Sequence, residues 1–165
     1  MAESARTLAT SDYSTEQIEA ALEGAWGVDT QLILDGTYFV AEAVREIVGC
    51  GGWSFRRTLF GGDDHIDREP ARLDPMIDPA RIRAFFVRAV WSRRGVGRAL
   101  LERCEAEAWR HGFRSATLVA TLPGERFYRA LGYARGEPLD HRLPRGLTIR
   151  FVSMSKALPP REEST

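Results

Sequence analysis

Lysine is almost missing from this chain. Of 23 basic side chains only Lys156 is a lysine, and the rest are arginine. A phosphate loop ending in Gly-Lys-Ser/Thr needs its lysine inside a glycine run, so that nucleotide-binding reading is excluded. Cysteine is scarce as well. Cys50 and Cys104 stand far apart, with no Cys-x-x-Cys pair, which excludes a secreted disulfide scaffold and leaves two reduced core thiols. Net charge is absent: 23 acidic residues balance the 23 basic ones, so no global field directs the chain to nucleic acid or to an anionic membrane. No apolar run approaches the roughly 18 residues of a membrane span. The opening MAESARTLATSDYS lacks the charged-then-apolar layout of a signal peptide, and the chain reads as soluble and cytoplasmic.

What the chain does have is enough apolar material for one core, 44% of 165 residues. The expected organisation is a single domain over residues 1–156 followed by a charged, proline-containing tail at 157–165. Ser14 and Gln17 form a capping box ahead of a short helix that Gly24 can end. Two β-rich runs, 37–42 and 46–53, read as a hairpin turning at 43–45. Gly49, Gly51 and Gly52 weaken the second run and imply close packing by a neighbour or ligand, or a bulge. Residues 61–79 lack either periodicity and read as a long loop, of the kind that forms lids or binding segments or is disordered. Asp63, Asp64, His65 and Asp67 on that loop have metal-ligand chemistry, but solvated charges account for them better, and no metal is expected. Strands follow at 81–87 and 116–121, a short helix at 125–131 closed by Gly132, and a late strand at 147–152.

The richest stretch is Ser92–Phe113. Val96, Leu100, Cys104 and Ala108 recur every four residues as the buried stripe of an amphipathic helix, with Arg98, Glu102, Arg103, Glu105 and Glu107 on the other faces. At its start Gly95 and Gly97 allow a ligand to approach the main chain, and the first-turn N–H groups have no partner within the helix. Unpaired donors, the positive end of the helix dipole and the guanidinium groups of Arg93, Arg94 and Arg98 together make an anion site suited to a pyrophosphate. A dinucleotide fingerprint fits poorly, because Leu100 stands where a third glycine is required and Ser115–Leu118 offers no acidic residue.

These residues resemble motif A of the GNAT superfamily of N-acetyltransferases, Arg/Gln-x-x-Gly-x-Gly/Ala. The strand Phe85-Phe86-Val87 ahead of the loop and the segment Arg126-Phe-Tyr-Arg-Ala-Leu-Gly-Tyr133, similar to motif B, extend the likeness over roughly residues 30–155. The resemblance implies an α/β (α+β) fold: a mixed, mostly antiparallel sheet flanked by helices. The family's first strand has no counterpart here, which leaves a sheet edge uncovered and available to a homodimer. It further implies acetyl-CoA as co-substrate. The main chain of Phe85, Phe86 and Val87 would pair with the pantetheine arm, the N–H of Val87 would meet the thioester oxygen, and Arg93, Arg94, Gly95, Val96, Gly97 and Arg98 would hold the pyrophosphate. Tyr128 stands where many members carry the general acid for the departing thiolate. The acceptor would be a small-molecule or peptide amine. Its base is left open among Glu42, Glu46, Glu125, His65 and water. Trp53, Trp91 and Tyr38 read as pocket lining or as core, with core preferred. Ser92 replaces the motif's Gln or Arg, Arg88-Ala89 a frequent His-Pro, and Thr121 and Gly124 a frequent Asn and Ala. A catalytically silent acyl-CoA-binding domain is the alternative function.

Overall fold

The computed structural model describes residues 1–65 and 68–160. In chain order the elements are α1 (Ala2–Leu8), α2 (Thr15–Leu22), α3 (Thr30–Leu34), β1 (Tyr38–Ala43), β2 (Glu46–Ser54), β3 (Ala80–Val87), α4 (Val96–Arg110), β4 (Ser115–Thr121), α5 (Leu122–Ala130), β5 (Ala134–Arg142) and β6 (Thr148–Ala157). Six strands form one sheet in the order β1-β2-β3-β4-β6-β5, antiparallel throughout except for the parallel pair β3 and β4. This is the expected mixed sheet. Among the described residues no strand precedes β1, which lies at the sheet edge.

Local chemistry sets most boundaries. The Ser14–Gln17 capping box starts α2, each side chain meeting the other's main-chain N–H. At the far end of α4, Gly112 takes a φ of 95° and the Phe113 N–H reaches back to the Ala108 carbonyl at 3.1 Å, a left-handed stop. The hairpin between β1 and β2 turns on Val44 and Arg45, both left-handed with φ of 51° and 63°.

Helices cover both faces of the sheet. On one face α4 and α5 pack Leu101, Cys104 and Tyr128 against Trp53, Ile82, Leu118 and Val152. On the other, α1 and α2 pack Ala5, Ile18 and Ala21 with Tyr13 against Ile149 and Phe151. Gly49 and Gly51 of β2 serve the first face. A Cβ at Gly49 would lie 2.8 Å from Val96 of α4, and one at Gly51 2.6 Å from the Phe85 ring, so absent side chains let helix and ring close in.

Among the described residues of 55–79 there is no helix or strand, and the segment is nonetheless pinned. Arg56 forms a two-pronged ion pair with Asp35, its Nε and one Nη each 2.7 Å from a carboxylate oxygen. Asp63 accepts from the Thr30 N–H at 2.8 Å and from its hydroxyl. Asp29, fully buried at the start of α3, is bound by Arg68 at 2.9 Å and by Arg83 of β3 at 2.6 Å. Burial holds the Arg83 guanidinium down, at about 10, with Asp29 opposing.

Candidate active site

The site is built where β3 and β4 part. Their parallel register covers only Ala80 with Ala116 and Arg81 with Thr117, after which the strands diverge toward their C-terminal ends. On its other side β3 stays paired to β2, with an irregularity: Gly52 faces Arg83 and Cys50 faces Phe86, so Ala84 and Phe85 together oppose Gly51. That is a β-bulge, and Ala84 carries it with a φ of 57°. Beyond the bulge the backbone alternates. The Arg88 N–H donates to the Val48 carbonyl of β2 at 2.9 Å, so Phe86 also faces β2 while Val87 faces the open seam. Of the three residues expected to line the cofactor edge, Phe85 and Val87 have main chain on it and Phe86 is turned to its neighbour strand.

The turn after β3 delivers the chain to α4. Ser92 folds its hydroxyl back onto the Ala89 carbonyl at 2.7 Å, and Gly95 caps the helix in the left-handed region at φ 85°, where other residues are strained. No side chain caps α4, and no acceptor among the described residues meets the N–H groups of Val96, Gly97 or Arg98. Space beside Gly95 is open, with no atom within 4 Å of where a Cβ would stand. Gly97 also has a packing task. A Cβ there would lie 3.1 Å from the Phe127 ring, so this glycine lets α5 pack on α4. Arg93 and Arg94 are exposed and form no ion pair among the described residues; the Arg94 guanidinium lies 5.1 Å from the Trp91 ring centroid. Arg98 sits on a groove between α4 and α5 that Leu101, Leu131 and Lys156 also line.

α5 starts because the Thr121 hydroxyl accepts from the Gly124 N–H at 3.1 Å. It sets Tyr128 against Phe127, Phe85 and Tyr133, with ring centroids 4.9, 6.3 and 5.7 Å away. Phe85 belongs to the bulge, so the tyrosine stands beside the seam. Its hydroxyl has no hydrogen-bond partner among the described residues, and burial pushes its pKa well above the ordinary tyrosine value. The group holds its proton and is available as a donor.

Several other residues considered for chemistry have structural partners. Glu46 pairs with Arg88 at 2.6 Å, and Glu125 with Arg129 and Arg135, both at 3.0 Å. His65 is buried between Phe60 and His141, ring centroids 4.9 and 5.3 Å away. Trp53 is core, 1% exposed, and the Tyr38 hydroxyl donates to the Ala84 carbonyl of the bulge at 3.3 Å. Asp67 lies outside the described residues. Among those described, no group of three or more His, Cys, Asp or Glu could hold a metal ion, and no helix is long and apolar enough to cross a membrane.

Two residues at the seam went unnoticed in the sequence. The Ser4 hydroxyl of α1 donates to the Val87 carbonyl at 2.6 Å. The Tyr13 hydroxyl donates to the Arg150 carbonyl at 2.6 Å and accepts from the Leu122 N–H at 2.8 Å. Their partners lie 83 and 109 residues away along the chain, and only the fold brings them together.

With this geometry in place, family comparison is decisive. Residues 34–135 match the model of the acetyltransferase (GNAT) domain. The chain belongs to the GNAT acetyltransferase family. No curated protein sequence is significantly similar to this GNAT chain. Among solved structures its fold is similar to the GCN5-related N-acetyltransferase of Rhodopseudomonas palustris, at 22% identity and a TM-score of 0.66 over 95% of this chain and 84% of that one. It is also similar to an aminoglycoside 6'-N-acetyltransferase complexed with coenzyme A, at 15% identity and a TM-score of 0.58 over 98% and 91%. A third is the protein yncA of Salmonella typhimurium with its cofactor acetyl-CoA, at 15% identity and 0.57 over 91% and 76%.

Proposed function

We propose that this GNAT chain transfers an acetyl group from acetyl-CoA to a primary amine by direct attack, with Tyr128 as general acid. The observation that carries the reading is the seam between β3 and β4. There β3 has no partner on its β4 side beyond Arg81 except Ser4, which meets the Val87 carbonyl, and the seam leads to N–H groups of Val96–Arg98 that meet no acceptor among the described residues. The residues fit a coenzyme A thioester. An extended amide arm can pair with the exposed main chain of Phe85 and Val87 as an added strand, and the α4 start with Arg93 and Arg94 suits a pyrophosphate.

Chain groups serve two of the chemical steps, and water takes the amine's proton. The acceptor nitrogen bonds to the thioester carbonyl carbon and the C–S bond breaks. The Val87 N–H, directed into the seam, donates to the carbonyl oxygen as negative charge grows there. Tyr128 gives its proton to the departing sulfur and regains one from solvent, while the new amide nitrogen releases its extra proton to water. A thiol near pKa 8.5 leaves more readily with such a donor in reach.

Release of free thiol from acetyl-CoA over a panel of amines tests the activity. Tyr128→Phe is expected to lower kcat on the order of 10²-fold with little change in acetyl-CoA affinity. Unchanged kcat across pH refutes the acid role. One observation favours a second reading, a silent acyl-CoA-binding domain: two of the carboxylates considered as base, Glu46 and Glu125, are engaged in ion pairs with arginines. Coenzyme A binding without thiol release for any amine would select that reading.

A further inference from the structure

We propose that the N-terminal segment, residues 1–13, is an autoinhibitory strap that closes the seam by holding the β3 edge, and that acyl-CoA must displace α1 to bind. The inference rests on the acyl-CoA reading above and adds a regulatory device to the same site.

The strap is anchored at both lips of the opening. Ser4 holds Val87, the last residue of β3, and Tyr13 holds Leu122, the residue directly after β4. Both anchors are buried, Ser4 at 5% exposure and Tyr13 at 6%. The two differ in strength. Tyr13 is locked by two hydrogen bonds, supplies an acceptor to a first-turn N–H of α5 and packs on Trp26 with centroids 6.1 Å apart. α1 is held lightly by comparison. It is seven residues long, has no side-chain cap and buries only Ser4 and Ala5. Its ion pairs, Arg6 with Glu19 and Glu3 with Arg88, are solvent-exposed and contribute little. A helix this short has no stability of its own, so it unfolds or swings away once its latch is lost.

The latch matches the ligand's chemistry. A hydroxyl hydrogen on the Val87 carbonyl stands in for the amide N–H that an extended arm presents to a strand edge. Ser4 and the arm therefore seek the same acceptor in the same buried space. Tyr13 stays packed as the pivot, and Thr10–Asp12 is the turn about which α1 moves.

The test uses coenzyme A with three proteins: the full chain, Ser4→Ala, and a chain lacking residues 2–8. Calorimetry should find binding about fivefold tighter for Ser4→Ala, the scale of one lost competing hydrogen bond, and at least as much for the truncation. Hydrogen exchange on the full chain should find the α1 amides losing protection when coenzyme A is added. Ser4→Ala changes only the latch and leaves the rest of α1 in place, so it decides the matter even where the truncation is poorly folded. Equal or weaker binding by Ser4→Ala, with α1 still protected in the complex, overturns the strap and leaves the acyl-CoA reading standing. Failure of all three proteins to bind coenzyme A overturns both.

Discussion

On the inner face of α4, the Glu105 carboxylate is almost fully buried, held by Lys156 Nζ at 2.8 and 3.0 Å and by the Tyr133 hydroxyl at 3.1 Å. The chain's single lysine neutralises a charge inside the helix–sheet interface. Burial and the neighbouring carboxylate both push the Tyr133 hydroxyl's pKa up, so it remains a donor. Lys156→Met removes the lysine's positive charge from beside this buried carboxylate and should cost about 3 kcal/mol in urea unfolding. Adding Glu105→Leu removes the buried negative charge as well and should restore most of that loss. Equal stability of the Lys156→Met protein and wild type would show the pair to be idle. Helical periodicity alone put Glu105 among the solvent-facing residues, because its partner lies 51 positions away. The same distance problem hid Asp29 with Arg83, and Ser4 with Val87. Motif residues differ: the start of α4 and Tyr128 were legible because each depends on neighbours within a few positions.

At the scale of elements, strong local signals gave reliable boundaries. The α2 capping box, the glycine stop of α4 and the β1–β2 hairpin all follow from short-range chemistry. β5 was not legible as a separate strand. Its sequence ARGEPLDHR has no apolar alternation, contains a proline, and is almost wholly exposed because only β6 pairs with it at the sheet edge. α1 and α3 are too short to carry a periodic pattern. The hairpin offers a direct test of local strain. Its two-residue turn places Val44 and Arg45 in the left-handed region, where branched and bulky side chains cost about 1 kcal/mol or more each. Val44→Asn with Arg45→Gly should raise stability by about 1–2 kcal/mol, read as a Tm increase of several degrees. A lower Tm would mean that the native turn is unstrained. Gly97 tests the contact between α4 and α5. Gly97→Val should push Phe127, and with it Tyr128, away from the seam, and should lower kcat more than acetyl-CoA affinity.

Across the whole molecule, two features of the sheet combine: helices on both faces bury its tyrosines, and the one parallel pair opens instead of continuing. Burial pushes the Tyr13 hydroxyl up to about 12 and raises Tyr38, Tyr128 and Tyr133 as well. An unfolded tyrosine ionises near 10. Above that pH the folded state holds more protons than the unfolded one, so stability is fully present below about pH 10 and is lost as pH rises toward 12. Urea midpoints measured from pH 8 to 11.5 should be flat and then fall, and Tyr13→Phe should shallow the fall. The open pair is the larger consequence, since every element of the proposed chemistry meets along it. A crystal structure of the complex with coenzyme A tests this most directly. The account predicts the pyrophosphate on the N–H groups of Val96–Arg98, the pantetheine arm against Phe85 and Val87, and the sulfur within reach of the Tyr128 hydroxyl. Coenzyme A bound elsewhere on the chain, with the seam still closed, would contradict it.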